Sequence, residues 1–444
     1  MRKLILLSLF AIAITAKGQV KTLTLKDALV YALENKADAK KAKLEVENSE
    51  YKIQQVRSLA LPQVMLNSNL NYNPILQTNV INGAAFGQPG TVIKATFGQG
   101  WISNTGVTLS QTIFDQTVFT GLKAARSTRE FYQINEKLTD ELVIEKVANN
   151  YYGIYVQRQK LILLDSNYVN TTKVRNVIEG QYKNGLAKKI DLDRIIVKQS
   201  NIGTQRQQIL NEVQLQENAL KFFMGMPIDT QIVIPQSEFE IPPMNLSEEP
   251  NTANRSEYLL LKKQEELLNY QKSALKAEYY PKLTLNASFN FLGQGPEMPL
   301  FAKPVDGVYW SNYSTIGLGL RVPIFTGFAT RSRVRQADID IRNLKEDIID
   351  TQLGLDLDYQ NAITQIKNSV ITIENQKTNK VLASEILKNT KNNYLQGLAT
   401  LTDLLDAENA YLESENNYAT AVLGFKVAEI RLIKSKGELK NLVK

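Results

Sequence analysis

The stretch Tyr394–Ala407 reads Y-L-Q-G-L-A-T-L-T-D-L-L-D-A and lies between two long helical patterns. It has an echo at Tyr182–Asp193, Y-K-N-G-L-A-K-K-I-D-L-D. In both, a Tyr stands three residues before Gly-Leu-Ala and an Asp four residues after the Ala, with the copies 212 residues apart. Glycine reaches positive φ and closes a helix, and aspartate favours the start of the next one. Each copy therefore spells the tip of a helical hairpin.

Working outward from the first tip, the chain from about Thr117 to Tyr182 holds no Pro and almost no Gly. Val147, Tyr151, Ile154, Leu161 and Tyr168 follow a three-four spacing, as in a coiled coil. At ~1.5 Å per residue such a helix approaches ~100 Å. The return helix carries a heptad through Leu192, Ile195, Ile202, Ile209, Val213, Leu220 and Phe223, with Gln199, Arg206 and Gln216 in intervening seam positions. Gly225 and Pro227 end it.

Further out the period changes from helical to two. Val64, Leu66, Leu70 and Tyr72 alternate with Gln63, Asn67, Asn69 and Asn71, which is a strand with one apolar and one polar face. Val107, Leu109 and Ile113 against Thr108, Ser110 and Thr112 predict a second strand. Together they form a long hairpin over 62–114, closed by a large Gly/Asn/Pro-rich loop at about Asn73–Gly100. Before it, Thr24–Asp27 resembles a capping box with Asp in the place of Glu or Gln. It opens a helical run with Ala28, Leu29, Ala32 and Leu33 on one face. Asn35–Asp38 is a possible break, and Pro62 stops the resumed helix after about Ala60.

The programme then repeats. Leu61–Tyr72 matches Tyr280–Phe291 at a separation of 219, and Gly106–Phe114 matches Gly317–Phe325 at 211. The first hairpin loop is thus 8 residues longer than the second. Gly225 and Gly437 close the two halves, again 212 apart. The expected layout is a signal peptide (1–18), a first repeat (19–225), a connector (226–251) with one small strand near Ile232–Ile234, and a second repeat (252–444) with its hairpin at 281–325. Four landmarks agreeing in order and type make this a tandem duplication.

Composition narrows the function. Arg2 and Lys3, the apolar run Leu4–Ile14 and the small-x-small Ala16-Lys17-Gly18 predict an export signal. No other stretch approaches the ~20 apolar residues of a spanning helix. Cleavage after Gly18 removes three of 52 basic residues and leaves 45 acidic ones, a net of +4. So small an excess gives little support for nucleic-acid binding. There is no Cys and no His, which excludes disulfides, thiol catalysis, His-based triads and H-E-x-x-H zinc sites. Phosphate-cradling glycine motifs are missing too. No metal or cofactor is expected, and an enzyme built on carboxylates alone has no substrate-shaped site to support it.

Four strands with one apolar face cannot close a barrel, and an open sheet in lipid leaves unsatisfied edges. A soluble sheet would instead pack its apolar face against the helices. The strands have the ~9–11 residues of a tilted membrane strand. Trp101 and Trp310 sit where loop meets strand, near Tyr309 and Tyr313, as in an interfacial aromatic girdle. On the membrane reading, several chains share one barrel.

The duplicated Pro-ended helix and Asn-rich strand, the Ile-Phe at each strand exit, the two Y-x-x-G-L-A tips and D-L-L-D-A-E-N resemble the TolC-type outer membrane efflux proteins. The likeness runs from Leu23 to Gly437. It implies a membrane α+β fold. In it a homotrimer closes a twelve-stranded β-barrel, four strands per chain, and continues as a periplasmic α-helical tunnel in a Gram-negative outer membrane. It implies outer membrane lipid, a periplasmic adaptor (membrane fusion) protein, and an inner-membrane pump of RND, ABC or MFS type as partners. The function implied is the exit duct of a tripartite efflux or type I secretion system. The alternative is a periplasmic coiled-coil scaffold or adaptor outside the membrane.

The resemblance also assigns residues. Asp403 and Asp406, spaced i, i+3, match an aspartate pair at the narrow tunnel entrance, where six carboxylates in a trimer would repel one another and attract cations. The plainer reading of each is a helix-start residue, a role at least as strong for Asp191. Tyr394 and Asp191 match positions that hold the closed entrance by a hydrogen bond between neighbouring hairpins. The family places an Arg two residues after the second tip Gly, where this chain has Ala399. Lys188 and Lys189 are either substitutes for it or simply solvated. Gly185, Leu186, Gly397 and Leu398 match the adaptor-docking surface and are turn residues in any case.

Overall fold

A computed structural model describes residues 22–87, 89–235, 252–300 and 307–443. The expected signal peptide and most of the connector lie outside the described residues. Helix α1 (Leu25–Asn35) opens on the Thr24–Asp27 capping box, in which each side chain accepts from the other residue's backbone N–H. Lys36 is extended and breaks the run, and α2 (Ala37–Ser58) follows. Strand β1 (Gln63–Tyr72) leads to a loop with structure of its own. Within it β2 (Thr78–Asn82) pairs with β3 (Val92–Thr96) around a short 3-10 turn at Gly83–Phe86. That stretch was expected as an irregular loop. Its strands are five residues each, too short for their alternation to stand out among the glycines and asparagines.

Strand β4 (Trp101–Phe114), the long helix α3 (Gln116–Lys183) and its return α4 (Lys189–Met224) complete the first half. The second half runs α5 (Ser256–Ala277), β5 (Lys282–Gly295), β6 (Tyr309–Arg321), α6 (Ala329–Leu395) and α7 (Leu401–Ser435). The halves are not identical: among the described residues two α-helices precede β1 and one α-helix precedes β5. Among the described residues of the connector, Val233 forms a parallel bridge with Thr22, reinforced by the Leu23 N–H donating to the Val233 carbonyl at 2.7 Å.

The compact units cut across the repeats. One takes the chain to Val46, Tyr132–Lys262 and Asp347 onward, and the other takes Glu47–Phe131 and Lys263–Glu346. In the first, Leu29, Ile144, Val147, Ile154, Leu220 and Met224 are buried together, and Tyr359, Ile366 and Phe425 form a second cluster. Seams of apolar side chains between helices supply this burial, as a coiled-coil pattern requires.

The second unit holds a four-stranded antiparallel sheet in the order β1-β4-β5-β6. Each hairpin pairs as its alternation predicts, and β4 joins β5 across the repeats. The register assigns every side chain to a face, because residues directly opposite point the same way. Val64, Leu66, Val107, Phe289, Phe291, Ile316 and Leu318 share one face. Asn67, Asn69, Asn104, Ser110, Asn286 and Asn290 share the other. The apolar face is not covered: Leu66 is 70% and Ile316 80% exposed. The soluble alternative, with this face packed on helices, is not what forms. Both outer strands, β1 and β6, are exposed along their whole length and have a sheet partner on one side only.

Candidate functional site

The two hairpin tips are built alike. Gly185 at φ 74° and Gly397 at φ 76° end the outgoing helices in the left-handed region. The Gly185 N–H donates to Tyr182 O at 3.0 Å and Leu186 N–H to Gln181 O at 2.8 Å; Gly397 and Leu398 repeat both bonds, onto Tyr394 and Asn393, at the same distances. This is the Schellman arrangement, which satisfies helix-terminal carbonyls and needs a residue without Cβ strain at the turn. It leaves Leu186 80% and Leu398 75% exposed. Each tip therefore presents a bare leucine beside a glycine.

The tips differ in how they start the return helix. In the second, Thr400 is the N-cap and forms a reciprocal capping box with Asp403. In the first, the N-cap is Lys188, with no side-chain cap bond, and Asp191 lies in the first turn without a capping role. The helix-cap role therefore falls to Asp403 and not to Asp191. The signal is in the sequence, since Thr stands three residues before Asp403 and Lys three before Asp191. Asp406 and Asp403 are both exposed. The two Thr400 hydrogen bonds hold the Asp403 carboxyl below the ordinary carboxylate range.

Tyr394 is half-buried in the cluster of Ile178, Ile195 and Leu401, alongside Ala187, Leu192 and Leu405. Burial, then the negative charge of Asp191, raise its phenol pKa. The charge of Asp191 is thus felt at Tyr394 within one chain. Lys188 and Lys189 are exposed, and Ala399 is partly covered.

Sequence reasoning missed what ties the hairpins together. Lys198 on α4 donates to Glu408 on α7 at 2.7 Å, with the two side chains 10% and 13% exposed. Lys198 also reaches the Leu405 carbonyl at 3.3 Å, and Arg194 donates to Thr402 Oγ1 at 2.7 Å. These partners are 210, 207 and 208 residues apart, and no local pattern pairs them. Glu408 also borders a cavity of about 280 Å³ between α3, α6 and α7, lined among others by Asn167, Lys173, Tyr394, Leu404 and Tyr411. Asn167 is buried, and its side-chain nitrogen has no partner there.

On the sheet, the four expected girdle aromatics divide. Trp101 lies opposite Tyr72 and Gly295, and Trp310 opposite Gly293, all on the apolar face. The Tyr72 and Trp101 rings stand 4.6 Å apart. The Trp310 ring lies over Gly293, where a Cβ would sit 2.9 Å from it. Tyr309 and Tyr313 fall on the polar face, opposite Gln294 and Asn290. Position along the strand was legible, but the face depends on a register that only the paired strands define.

Comparison with known proteins agrees with this construction. The profile of the outer membrane efflux protein family matches residues 28–225 and 253–438. Outer membrane protein TolC of Vibrio cholerae is 19% identical over 346 residues, covering 75% of this chain and 76% of that protein. Among solved structures, the outer membrane protein VceC of Vibrio cholerae superposes with a TM-score of 0.71 at 16% identity, over 93% of this chain and 96% of its own. The CmeC outer membrane channel of Campylobacter jejuni gives 0.75 at 17%, over 93% and 85%. This chain belongs to the outer membrane efflux protein family, and it is an outer membrane efflux channel protein rather than an enzyme or a periplasmic scaffold.

Proposed function

We propose that three copies of the chain close one twelve-stranded barrel and continue it as a periplasmic helical tunnel. That assembly would be the exit duct of a tripartite efflux or type I secretion system. The observation that carries this reading is the sheet with two open edges and an uncovered apolar face. In lipid, open edges are not tolerated and must pair. Since β1, β4, β5 and β6 alternate in direction, β6 of one copy runs antiparallel to β1 of the next, and any whole number of copies closes. Two copies would give about eight strands, whose interior side chains fill. A water-filled duct therefore needs at least three.

The apolar face would meet lipid, with Tyr72, Trp101 and Trp310 at the outer boundary, and the Asn/Ser/Thr face would line the lumen. Tyr309 and Tyr313 then belong to the pore mouth. At the tips, Gly185, Leu186, Gly397 and Leu398 would receive a periplasmic adaptor protein, itself coupled to an inner-membrane pump of RND, ABC or MFS type. Asp403, Asp406, Tyr394 and Asp191 would surround the constriction, with the carboxylates favouring cations.

Two measurements test the reading together. The purified protein should run as an SDS-resistant oligomer that collapses on boiling, and it should conduct in planar bilayers with cation preference. A monomer that neither pellets with outer membrane nor conducts would refute it.

A further inference from the structure

The sheet has a second aromatic level, at the ends of β4 and β6 that lead into the long helices. A register shift between Thr112 and Phe114 sets Phe114 opposite Leu283. Without that bulge Phe114 would point to the polar face; with it the ring joins the apolar one. Phe114 and Phe119 stand 6.2 Å apart. At the other exit, Ile324 is 96% exposed, and Phe325 meets Phe328 edge-on at 5.4 Å. Phe328 is the one non-glycine among the described residues at positive φ, 62°. A bulky side chain there is strained, yet its ring stays exposed beside Phe325.

From each aromatic pair a short basic stripe continues. Phe119, Lys123 and Arg126 are spaced i, i+4, i+7 on α3. Arg331 and Arg335 are spaced i, i+4 in the first turns of α6, with Phe328 just before the helix. Such spacings share one helical face. All four cations are exposed, and none makes an ion pair or hydrogen bond among the described residues. Their neighbours are neutralised: Arg129 by Glu50, Lys282 by Asp115, Arg333 by Glu278, Lys272 by Asp338. Lys123, Arg126, Arg331 and Arg335 have no such carboxylate partner among the described residues.

We infer that each strand exit is a binding site for the headgroup of an anionic phospholipid in the inner leaflet of the outer membrane, its acyl chains on the phenylalanines and its phosphate on Lys123/Arg126 or Arg331/Arg335. This rests on the membrane-duct reading. Depth supports it: the 14 residues of β4, at ~3.4 Å each and tilted ~45°, span roughly 30 Å, one hydrocarbon thickness. Trp101 and Phe114 therefore mark opposite boundaries. Lys123 and Arg126 lie ~10 and ~15 Å along α3 from its start, and their long side chains lean toward the helix N-terminus, which brings the charges back toward the headgroups. Basic residues beside a membrane surface attract anionic lipid strongly and lose it to salt.

The test uses the assembled full-length oligomer in nanodiscs of phosphatidylethanolamine and phosphatidylglycerol at about 4:1, with the lipid retained after detergent extraction quantified by mass spectrometry. The ratio of retained phosphatidylglycerol to phosphatidylethanolamine should exceed the bulk ratio by about fivefold. It should return to bulk in the Lys123→Gln/Arg126→Gln/Arg331→Gln/Arg335→Gln variant and remain enriched in Lys188→Gln/Lys189→Gln. A bulk ratio in the unaltered protein, or equal enrichment in the fourfold variant, overturns the site. If that variant fails to assemble, a wash of the unaltered protein in about 0.5 M NaCl decides: enrichment must fall with the Debye length, and an unchanged ratio overturns the proposal. Oligomers that conduct in bilayers yet show no enrichment remove only the lipid site. Failure to form heat-sensitive oligomers removes the duct reading itself.

Discussion

Asp403 turns its carboxylate back onto Thr400. One oxygen accepts the Thr400 backbone N–H at 2.8 Å and the hydroxyl at 2.7 Å, while the hydroxyl accepts the Asp403 N–H at 3.2 Å. A residue matched to a pore ring is therefore also the cap of α7. The two roles separate by substitution. Thr400→Ala should cost about 1 kcal/mol of local stability and speed amide exchange in the first turns of α7. Asp406→Asn should leave that exchange unchanged and alter only cation preference in bilayers. Equal exchange in both variants would remove the cap.

The same cap gives a pH dependence with a definite sign. The folded-state pKa of Asp403 is depressed, chiefly by the Thr400 hydroxyl and then by its N–H. Its contribution is present above the ordinary carboxylate pKa and is lost as pH falls through the lower, folded-state value. Hydrogen exchange at the start of α7 should accelerate over that acidic window, and Asp403→Asn should flatten the response.

Glu141 carries the opposite shift. Burial raises its pKa, partly countered by the Ser256 hydroxyl, which donates to it at 3.0 Å. A raised carboxylate pKa favours the folded state at low pH and weighs against it as pH rises through the folded value. Glu141→Gln keeps an acceptor for Ser256 and removes the buried charge. It should raise the unfolding temperature at neutral pH, and a lower temperature would contradict the burial argument.

Lys198 and Glu408 clamp the two return helices at the tips. Removing one partner strands a buried charge, at a cost of about 3–5 kcal/mol in comparable pairs. Lys198→Met and Glu408→Gln should each loosen the tips, read as higher resting conductance in bilayers. The double exchange Lys198→Glu/Glu408→Lys should recover most of the closed behaviour. Wild-type conductance in both single variants would show that the clamp plays no part in closing the entrance.

At the tips themselves, Leu186→Asp or Leu398→Asp should abolish efflux-dependent resistance while leaving heat-sensitive oligomers intact. Both side chains are too exposed for the fold to depend on them. Unchanged resistance would argue against adaptor docking there.

Local chemistry explains what could be read from the chain. The glycines at 185, 225, 397 and 437 all take positive φ, Thr24 and Pro62 begin and end helices where their backbone preferences place them, and the break falls at Lys36, inside Asn35–Asp38. Period two gave both faces of β1 and β4. What escaped depends on distant partners. The face of Tyr313 follows from its register with Asn290, and the Lys198–Glu408 contact from how two hairpins pack. The β2–β3 hairpin was hidden by brevity. The capping role of Asp403 was legible in Thr400, but the family likeness drew attention to the pore.

The central claim, that β6 of one copy pairs with β1 of the next, can be measured directly because the chain has no cysteine. Cysteine pairs placed one on β1 and one on β6, scanned from Asn67→Cys to Asn71→Cys against Ser311→Cys to Thr315→Cys, cannot bridge within a chain, since two strands intervene and edges stand about 14 Å apart. Oxidised membranes should yield a covalent species of three chains that survives boiling in SDS and grows no larger. A ladder stopping at two chains, an open-ended ladder, or no cross-link at any register would contradict a three-copy barrel.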